Sequence, residues 1–356
     1  MSDCGRAPAG ARPGRCFRVR RLAPLLLLAG LMIPACLWGP SGHRAPDRHG
    51  SPGSRAVEFT YGLTLRGLPE RARQVSIWVP LPRETSAQRI EDMRVDADIP
   101  GRVLSDPTYG NRFLYFESEG SQPESLKAVI RFVVRREAVE VRGAPSDRRV
   151  SALEIDPALH LRPDRLVPTD ALIAERARRV LSGVRSGGVG RARRLYDDVV
   201  RTMVYDKSGT GWGRGDALHA CEVGAGNCTD FHSLFIGMAR AVQIPAVFVM
   251  GFPLPAERGE GAISSYHCWA EFYDDRLGWV PIDASEAWKH PESKEFLFGG
   301  LDPNRIEFTI GRDIQLVPQD KARGAVLNYS IYPYVLVDGE SFAGVVTEFR
   351  FRDIAG

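Results

Sequence analysis

The sequence predicts an α+β protein, because a strand-rich region comes first and a helix with a second group of strands follows it. Residues 56–142 contain short runs in which apolar and polar residues alternate, separated by turns rich in glycine and proline. Further along, the amphipathic run 228–242 has helical periodicity and precedes three strand-like runs at 244–252, 266–273 and 278–283. These observations favour a helix packed on an antiparallel sheet, with a separate β-rich region before it.

The same patterns divide the body of the chain into three parts. We expect a β-rich domain over 56–150, a domain of helices and sheet over 160–320, and further strands over 321–356. Two helices, at 169–181 and 192–205, open the second part because apolar residues recur in them at helical spacing. The C-terminal strands could complete the core sheet or form an appended hairpin.

The first 35 residues predict an export signal that precedes the fold. Six arginines come before a short apolar stretch at 22–35, which is too short to span a membrane comfortably. The segment 33–36 resembles the end of a bacterial lipoprotein signal, in which Cys36 would carry the lipid, although its proline is unusual. Simple secretion and an uncleaved anchor are the alternatives. Residues 36–55, rich in glycine, proline and serine, predict a flexible tether.

The charge balance gives no support for a nucleic-acid partner. The chain has 47 Lys and Arg against 44 Asp and Glu, a net charge of +3. Residues 1–35 hold six Arg and one Asp, a net of +5, so the remainder is near −2. The basic character therefore belongs to the targeting segment and not to a binding surface of the fold.

Cysteines are sparse in the body of the chain. Only Cys221, Cys228 and Cys268 follow residue 36, which is too few for a disulfide framework. An odd number leaves at least one free thiol, and Cys228 is our candidate for it. Cys221 and Cys268 could pair.

Cys228, His267 and Asp283 occur in the local sequences that a cysteine nucleophile and its partners require. Cys228 opens a helix after a glycine-containing turn, and a helix N-terminus and an imidazolium both favour the reactive thiolate. His267 begins one strand-like run and Asp283 ends the next, where a carboxylate can hold the imidazole in one tautomer. Each residue alone could be structural. Together they predict a catalytic triad for acyl transfer.

A metal site is the main alternative for this segment. His219, Cys221, Cys228 and His232 fall within 14 residues of each other. Their spacing does not match the paired ligands of zinc sites, and ligation would remove the nucleophilicity of Cys228. The sequence also has no phosphate loop, dinucleotide fingerprint or EF-hand loop, so we expect neither a metal nor another cofactor.

Three motifs resemble the transglutaminase-like superfamily of papain-type cysteine enzymes, and in particular exported bacterial proteins with this domain. They are Gly-Asn-Cys-Thr-Asp-Phe-His at 226–232, Tyr-His-Cys-Trp-Ala-Glu-Phe at 266–272, and Gly-Trp-Val-Pro-Ile-Asp-Ala-Ser at 278–285. The resemblance continues through 298–302 and 311–313 and is strong over roughly 190–320. It implies a papain-like core in which the nucleophile lies at a helix N-terminus packed on an antiparallel sheet.

The resemblance also implies roles for individual residues. The nucleophile of the family falls on Cys228, its base on His267 and its orienting carboxylate on Asp283. A thioester on Cys228 would form from an amide or peptide bond and then react with water or an amine. We expect the backbone N–H of Cys228 and the indole N–H of Trp212, in a glycine-rich loop, to bind the oxyanion. Asp230 and His232 are interpreted as supporting residues.

The substrate expected for such an enzyme is a protein or peptide, for example a cell-wall peptide. The N-terminal segment or its lipid would bring the protein to the membrane in the periplasm or cell envelope. The alternative is a catalytically inactive binding scaffold of the same fold, tethered at the membrane. The sequence alone leaves open whether the reaction is hydrolysis or transfer.

Overall fold

The computed structural model describes residues 53–141, 156–169 and 171–354. The predicted signal segment 1–35, the lipidation candidate Cys36 and most of the tether lie outside the described residues. Within the described residues, no helix is both long enough and apolar enough to cross a membrane.

The described chain contains five α-helices and twenty strands, most of them short. The helices are α1 (Ala171–Val180), α2 (Gly188–Thr202), α3 (Ala217–Val223), α4 (Cys228–Ala241) and α5 (Ala284–Lys289). The strands before α2 are β1 (Ser54–Arg66), β2 (Gln74–Pro80), β3 (Gln88–Ala97), β4 (Gly101–Ser105), β5 (Arg112–Glu119), β6 (Ser125–Glu137) and β7 (Val139–Glu140). Those after it are β8 (Val204–Tyr205), β9 (Ala225–Gly226), β10 (Ala246–Pro253), β11 (Glu260–Ile263), β12 (His267–Asp274), β13 (Gly278–Ile282), β14 (Gly300–Leu301), β15 (Arg305–Ile310), β16 (Ile314–Gln315), β17 (Val326–Leu327), β18 (Tyr334–Val337), β19 (Glu340–Ser341) and β20 (Val345–Asp353).

Two five-stranded antiparallel sheets form the β-rich part. Their strand orders are β11-β20-β1-β6-β3 and β19-β18-β2-β5-β4. Alternate residues of β1 and β6 are buried, as the period-two pattern of the sequence predicts for strands with one face on the core. Phe59 of β1 and Phe132 of β6 are paired across these strands with ring centroids 5.3 Å apart, so the apolar face of the sheet is continuous.

The C-terminal strands pair with the N-terminal strands. β20 runs antiparallel to β1, from Val57↔Asp353 to Leu65↔Val345, and β18 pairs with β2. This arrangement differs from both alternatives that the sequence left open, because these strands extend the sheets of the β-rich part. Arg55 fixes the register through an ion pair with Asp353 at 2.8 Å. The domain limits at 56–150, 160–320 and 321–356 stay a prediction.

A third, four-stranded sheet carries the predicted core. Its order is β13-β12-β10-β15, all antiparallel, and α4 packs against β12 and β10. The other side of α4 contacts α1, α2 and α3, which explains why nearly all of its residues are buried and not one stripe alone. A helix on an antiparallel sheet, preceded by a β-rich region, confirms the α+β prediction.

The helix α3 was not predicted, because the sequence before it is dominated by glycine. Asp216 caps this helix by accepting hydrogen bonds from the backbone N–H groups of Leu218 and His219, at 3.1 and 3.2 Å. Gly224 ends it in the left-handed conformation, with φ of 67°. The glycine-rich loop is therefore limited to the residues before Asp216.

Candidate active site

The N-terminus of α4 presents Cys228 as the first helical residue. Asn227 caps the helix, since its side-chain oxygen accepts from the Thr229 N–H at 2.9 Å. In return, the Asp230 carboxylate accepts from the Asn227 N–H at 2.9 Å, which completes a capping box. Gly226 precedes the cap, and any side chain there would collide with Asp230. The sequence Gly-Asn-Cys-Thr-Asp therefore fixes the direction in which the chain enters the helix.

Asp230 also holds the glycine-rich loop against α4. Its two carboxylate oxygens accept from the backbone N–H groups of Gly213, at 2.7 Å, and Gly215, at 3.0 Å. Both glycines have positive φ, a conformation in which other residues would be strained. Burial raises the pKa of this carboxyl group, and the backbone hydrogen bonds partly oppose that effect. These contacts agree with the interpretation of Asp230 as a supporting residue.

His267 and Asp283 form a buried pair next to Cys228. Nε2 of His267, the first residue of β12, donates to Oδ2 of Asp283 at 2.6 Å. Asp283 follows β13 and caps α5, because its Oδ1 accepts from the Glu286 N–H at 3.0 Å. His267 and Cys228 line the same cleft. Since Nε2 is engaged by Asp283, Nδ1 is the ring nitrogen left for the Cys228 thiol.

The electrostatics of Cys228 and His267 favour a thiolate on the cysteine and an imidazolium on the histidine. Burial by itself lowers the pKa of His267, but the charge and hydrogen bond of Asp283 and the hydrogen bond of Cys228 raise it to about 10. The pKa of Cys228 lies well below its usual range, because hydrogen bonds from Cys268 and His267 and the charge of His267 outweigh the effect of burial. A low thiol pKa beside a protonated imidazole is the state in which cysteine acts as a nucleophile.

Arg305 is a partner of Asp283 that the sequence did not reveal. Its Nη1 donates to Oδ2 of Asp283 at 3.0 Å, and its Nη2 lies 3.5 Å from Oδ2 of Asp302. The guanidinium also lies 5.2 Å from the ring centroid of Trp269. The available signal was a strand, Arg305–Ile310, that is apolar apart from two charged residues and one threonine. Charges in a buried strand require buried partners, but the sequence does not say which.

His232 links the nucleophile helix to the residue after Asp283. Its Nδ1 lies 2.7 Å from the Cys228 carbonyl oxygen, and its Nε2 accepts from the Ala284 N–H at 3.0 Å. Since Nε2 accepts, the ring proton is on Nδ1 and is donated to the Cys228 carbonyl. Burial lowers the pKa of His232, in keeping with this neutral form. These contacts agree with the interpretation of His232 as a supporting residue.

The three cysteines of the described chain are all free. Cys268 is completely buried beside the site, and its Sγ lies 3.7 Å from Nδ1 of His232. Cys221 lies elsewhere, with its Sγ 3.7 Å from Nη1 of Arg176, so the disulfide considered from the sequence is not formed. Across 53–141, 156–169 and 171–354, no three His, Cys, Asp or Glu side chains are arranged to hold a metal ion.

A cleft of about 470 Å³ opens above Cys228 and His267. Aromatic and charged side chains line it, among them Tyr205, Lys207, Trp212, Tyr266, Glu286 and Lys289. Trp212 lies in the wall of this cleft and is 38% exposed, so the loop that carries it does border Cys228. Its function as an oxyanion donor stays a prediction. Lys289 is neutralised by Glu286 at 2.7 Å.

Comparison with known proteins gives a matching family profile and a similar bacterial protein. The profile of the transglutaminase-like superfamily matches residues 174–284, a range that contains Cys228, His267 and Asp283. An uncharacterized protein of Haemophilus influenzae strain Rd is 28% identical over 323 residues, covering 80% of this chain and 86% of that protein.

Solved structures show the likeness of the fold. The crystal structure of a "putative cysteine protease" from Cytophaga hutchinsonii aligns with a TM-score of 0.57 at 17% identity, over 85% of this chain and 92% of that one. The periplasmic domain of TgpA from Pseudomonas aeruginosa aligns with a TM-score of only 0.35 at 15% identity, over 68% of this chain and 90% of that one. The second score is too low to establish a common fold. The profile match identifies residues 174–284 as a transglutaminase-like domain, as the resemblance of the motifs predicted, and the first of these structures shows a similar fold.

Proposed function

We propose that this protein is a cysteine acyl-transfer enzyme that cleaves an amide or peptide bond through a thioester on Cys228. The observation that carries the proposal is the position of Cys228 as the first residue of α4, in the same cleft as His267. His267 is held in turn by Asp283 at 2.6 Å. A nucleophile, a base and a group that orients the base are the three parts that covalent acyl transfer requires.

In the first half of the reaction, the Cys228 thiolate attacks the carbonyl carbon of the substrate. The carbonyl π electrons move to oxygen and form a tetrahedral oxyanion. When the C–N bond breaks, the imidazolium of His267 gives its Nδ1 proton to the leaving amine, and a thioester remains on Cys228. Asp283 stays ionised throughout and keeps the imidazole ring oriented.

In the second half, neutral His267 removes a proton from water or from an acceptor amine. The resulting nucleophile attacks the thioester, and the C–S bond breaks to return the Cys228 thiolate. Water gives a carboxylic acid, whereas an amine gives a new amide. The cleft is open and lined by charged residues, and such a lining is compatible with either water or an amine as the acceptor.

The oxyanion requires hydrogen-bond donors next to Cys228. Among the first N–H groups of α4, Thr229 donates to the Asn227 side chain, and Asp230 and Phe231 donate to the Asn227 carbonyl. The Cys228 N–H belongs to the same first turn, where helical partners are missing, and it is the donor that we assign to the oxyanion. Trp212 in the cleft wall is our candidate for the second donor.

The substrate that we propose is a protein or peptide, with cell-wall peptides as the first class to test. The signal-like pattern of residues 1–35 supports an exported protein of the periplasm or cell envelope. Cys36 is the residue that would carry a lipid if the segment is a lipoprotein signal. The near-neutral charge of the remaining chain supports no nucleic-acid partner.

The test compares Cys228→Ala with Cys221→Ala, a matched change at a second free thiol. Each protein is incubated with a digest of bacterial cell-wall peptides and with a peptide-amide library, with and without a primary amine. Mass spectrometry reports the products and any acyl group on the protein. Wild type and Cys221→Ala should cleave amides, and the added amine should appear in products if transfer occurs.

Cys228→Ala should show no product while it keeps the wild-type unfolding midpoint. Turnover that persists in purified Cys228→Ala protein would refute the proposed mechanism. If wild type itself gives neither product nor acyl-enzyme, the binding-scaffold alternative replaces it.

A further inference from the structure

A second cavity, of about 410 Å³, lies where β1 and β3 begin and β6 ends. It shares no lining residue with the cleft above Cys228. Among the described residues that line it, Glu137 is the one acid. Five arginines also line it: Arg55, Arg89, Arg135, Arg136 and Arg258. This cavity, called the arginine pocket below, has the size of a small-molecule site.

The carboxylates around the arginine pocket are too few for its arginines. Within the described chain, each of three carboxylates is shared by two arginines, so six positive charges face three negative ones. Glu137 lowers the excess from three to two. The shared contacts, at N–O distances of 2.8 to 3.9 Å, are Asp353 with Arg55 and Arg258, Glu91 with Arg89 and Arg135, and Glu307 with Arg83 and Arg136.

Arg136 has hydrogen-bond donors that no group of the described chain uses. The residue is only 3% exposed, and its Nε and Nη1 have no hydrogen-bond partner. Its Nη1 lies 3.8 Å from Oε2 of Glu307, which is too long for a hydrogen bond. Arg55, its neighbour on β1, instead donates from all three of its guanidinium nitrogens. Since unsatisfied buried donors are costly, an acceptor bound in the pocket would stabilise Arg136.

The arginine pocket is also next to the point where the predicted tether joins the fold. Ser54, the first residue of β1, lines the pocket. Eighteen positions separate it from Cys36, the candidate for lipidation (54 − 36 = 18). A flexible chain of that length has an end-to-end distance of about 23 Å. A protein anchored through its N-terminal segment would therefore keep the pocket close to the membrane surface.

We propose that the arginine pocket binds the phosphate group of an anionic phospholipid. Guanidinium groups bind phosphate through two parallel hydrogen bonds and lose their hydration more readily than ammonium groups. Arg136 provides the buried donors, while the side chains of Arg89 and Arg258 are 75% and 60% exposed at the rim. This contact is separate from the proposed catalysis, and it would fix which face of the protein is turned to the membrane.

The experiment measures the binding of the full-length protein to sedimenting vesicles of phosphatidylcholine, with and without phosphatidylglycerol. Because the N-terminal segment can itself bind vesicles, the quantity compared is the increase that phosphatidylglycerol causes. The pocket variant is Arg89→Gln with Arg258→Gln. The matched control is Arg165→Gln with Arg350→Gln, at two arginines outside the pocket that are each 60% exposed and paired with one acid.

A third variant, Arg136→Lys, keeps the net charge and removes only the guanidinium fork. A urea titration first establishes that it folds. Lysine binds phosphate as a point charge and cannot replace both donors, so binding to phosphatidylglycerol vesicles should weaken roughly tenfold.

Wild type should bind vesicles more tightly when phosphatidylglycerol is present. The pocket variant should bind these vesicles about 30-fold more weakly, because it lacks two arginines near the charged surface. The control should change by less than about threefold, since charges farther away than about 8 Å are screened by salt.

Equal losses in the pocket variant and the control would show attraction by net charge alone and would overturn the inference. It also fails if phosphatidylglycerol does not increase the binding of wild type, or if folded Arg136→Lys binds like wild type. Calorimetry with inorganic phosphate tests a free anion as the ligand. If the pocket variant loses phosphate binding but keeps vesicle binding, the lipid assignment is wrong. These measurements do not involve Cys228, so none of their outcomes bears on the proposed function.

Discussion

Two buried carboxyl groups on neighbouring strands of the same sheet have pKa values that are shifted in opposite directions. Asp283 follows β13 and Glu271 lies in β12, and both side chains are buried. Burial raises the pKa of Asp283, but the charge and hydrogen bond of His267 and the charge of Arg305 reverse that effect and hold it well below its usual range. Asp283 is therefore ionised in the folded protein over the whole physiological range.

Glu271 has the same burial without the same compensation. Burial and the nearby Glu307 raise its pKa to about 8, and the charges of Arg136 and Arg83 oppose this only in part. Arg83 and Arg136 lie closer to the other carboxylate, at 3.2 and 3.8 Å from the oxygens of Glu307. Glu271 is therefore mostly protonated at pH 7.

The comparison shows that contact with cations, and not depth, decides the charge of a buried acid in this sheet. Asp283 has two donors on one oxygen, Nε2 of His267 at 2.6 Å and Nη1 of Arg305 at 3.0 Å. Such direct, charge-assisted hydrogen bonds offset the loss of water that burial imposes. The carboxylate that must stay charged in the proposed mechanism is the one that receives them.

The largest expected effect is on activity, which should depend on Asp283 and not on Glu271. Asp283→Asn should lower kcat/KM for amide cleavage by about 10³-fold, because the imidazolium loses the charge that stabilises it. Glu271→Gln replaces a protonated acid by a neutral amide of similar shape and should leave kcat/KM unchanged. Equal losses in the two variants would show that the sheet needs both acids for its structure, and the comparison would fail.

Removal of Arg305 tests whether its contact with Asp283 provides the compensation. Arg305→Met leaves a buried carboxylate with one partner fewer, so the free energy of unfolding should fall by about 3–5 kcal/mol in a urea titration. The double variant with Asp283→Asn should be less destabilised than the sum of the single changes, since the unpaired charge is then gone. Additive losses would mean that the two groups do not depend on each other.

The smallest expected effect is a difference in how stability depends on pH. The pKa of Glu271 rises from an ordinary 4.5 to about 8, so between these values the folded protein binds more protons than the unfolded chain. Its contribution to stability is complete below pH 4.5 and is lost as the pH rises through 8. The contribution of Asp283 to stability changes with pH in the opposite direction, because it is present above the ordinary pKa of the group and is lost in acid.

Urea titrations at pH 5.5, 6.5, 7.5 and 8.5 measure this difference. Wild type should lose roughly 3 kcal/mol more than Glu271→Gln across the series, since glutamine does not titrate. Parallel curves for the two proteins would show that Glu271 has an ordinary pKa.

Local sequence was sufficient to predict the three proposed catalytic residues. Cys228 stands after a glycine turn at the start of a helix, and His267 and Asp283 mark the ends of consecutive strands, so each is defined by neighbours within a few positions. The helix α4 and the strands β10, β12 and β13 were predicted to within two residues at each end for the same reason. Short-range patterns of this kind do not depend on the order in which the strands are arranged in the sheet.

The partners of these residues could not be predicted, because strand order is not a local property. Asp283 follows β13 and Arg305 begins β15, at opposite edges of the four-stranded sheet, so no local pattern predicts their hydrogen bond. Cys268 was visible in the sequence, but its position beside His232 depends on how α4 packs on β12. The pairing of β20 with β1 joins residues that are nearly 300 positions apart, and no periodicity encodes it.

That last pairing has a kinetic consequence. Arg55 donates to Asp353 across a sequence separation of 298 residues and also to Asn304, the neighbour of Arg305. Contacts of such long range raise the contact order and close only after large loops have lost their entropy, so they form late in folding. Until they form, β1 exposes an unpaired edge on which another chain could add a strand. We therefore expect the slow step of folding to be the closure of this sheet, with the reactive thiol site maturing only once the two distant strands have met.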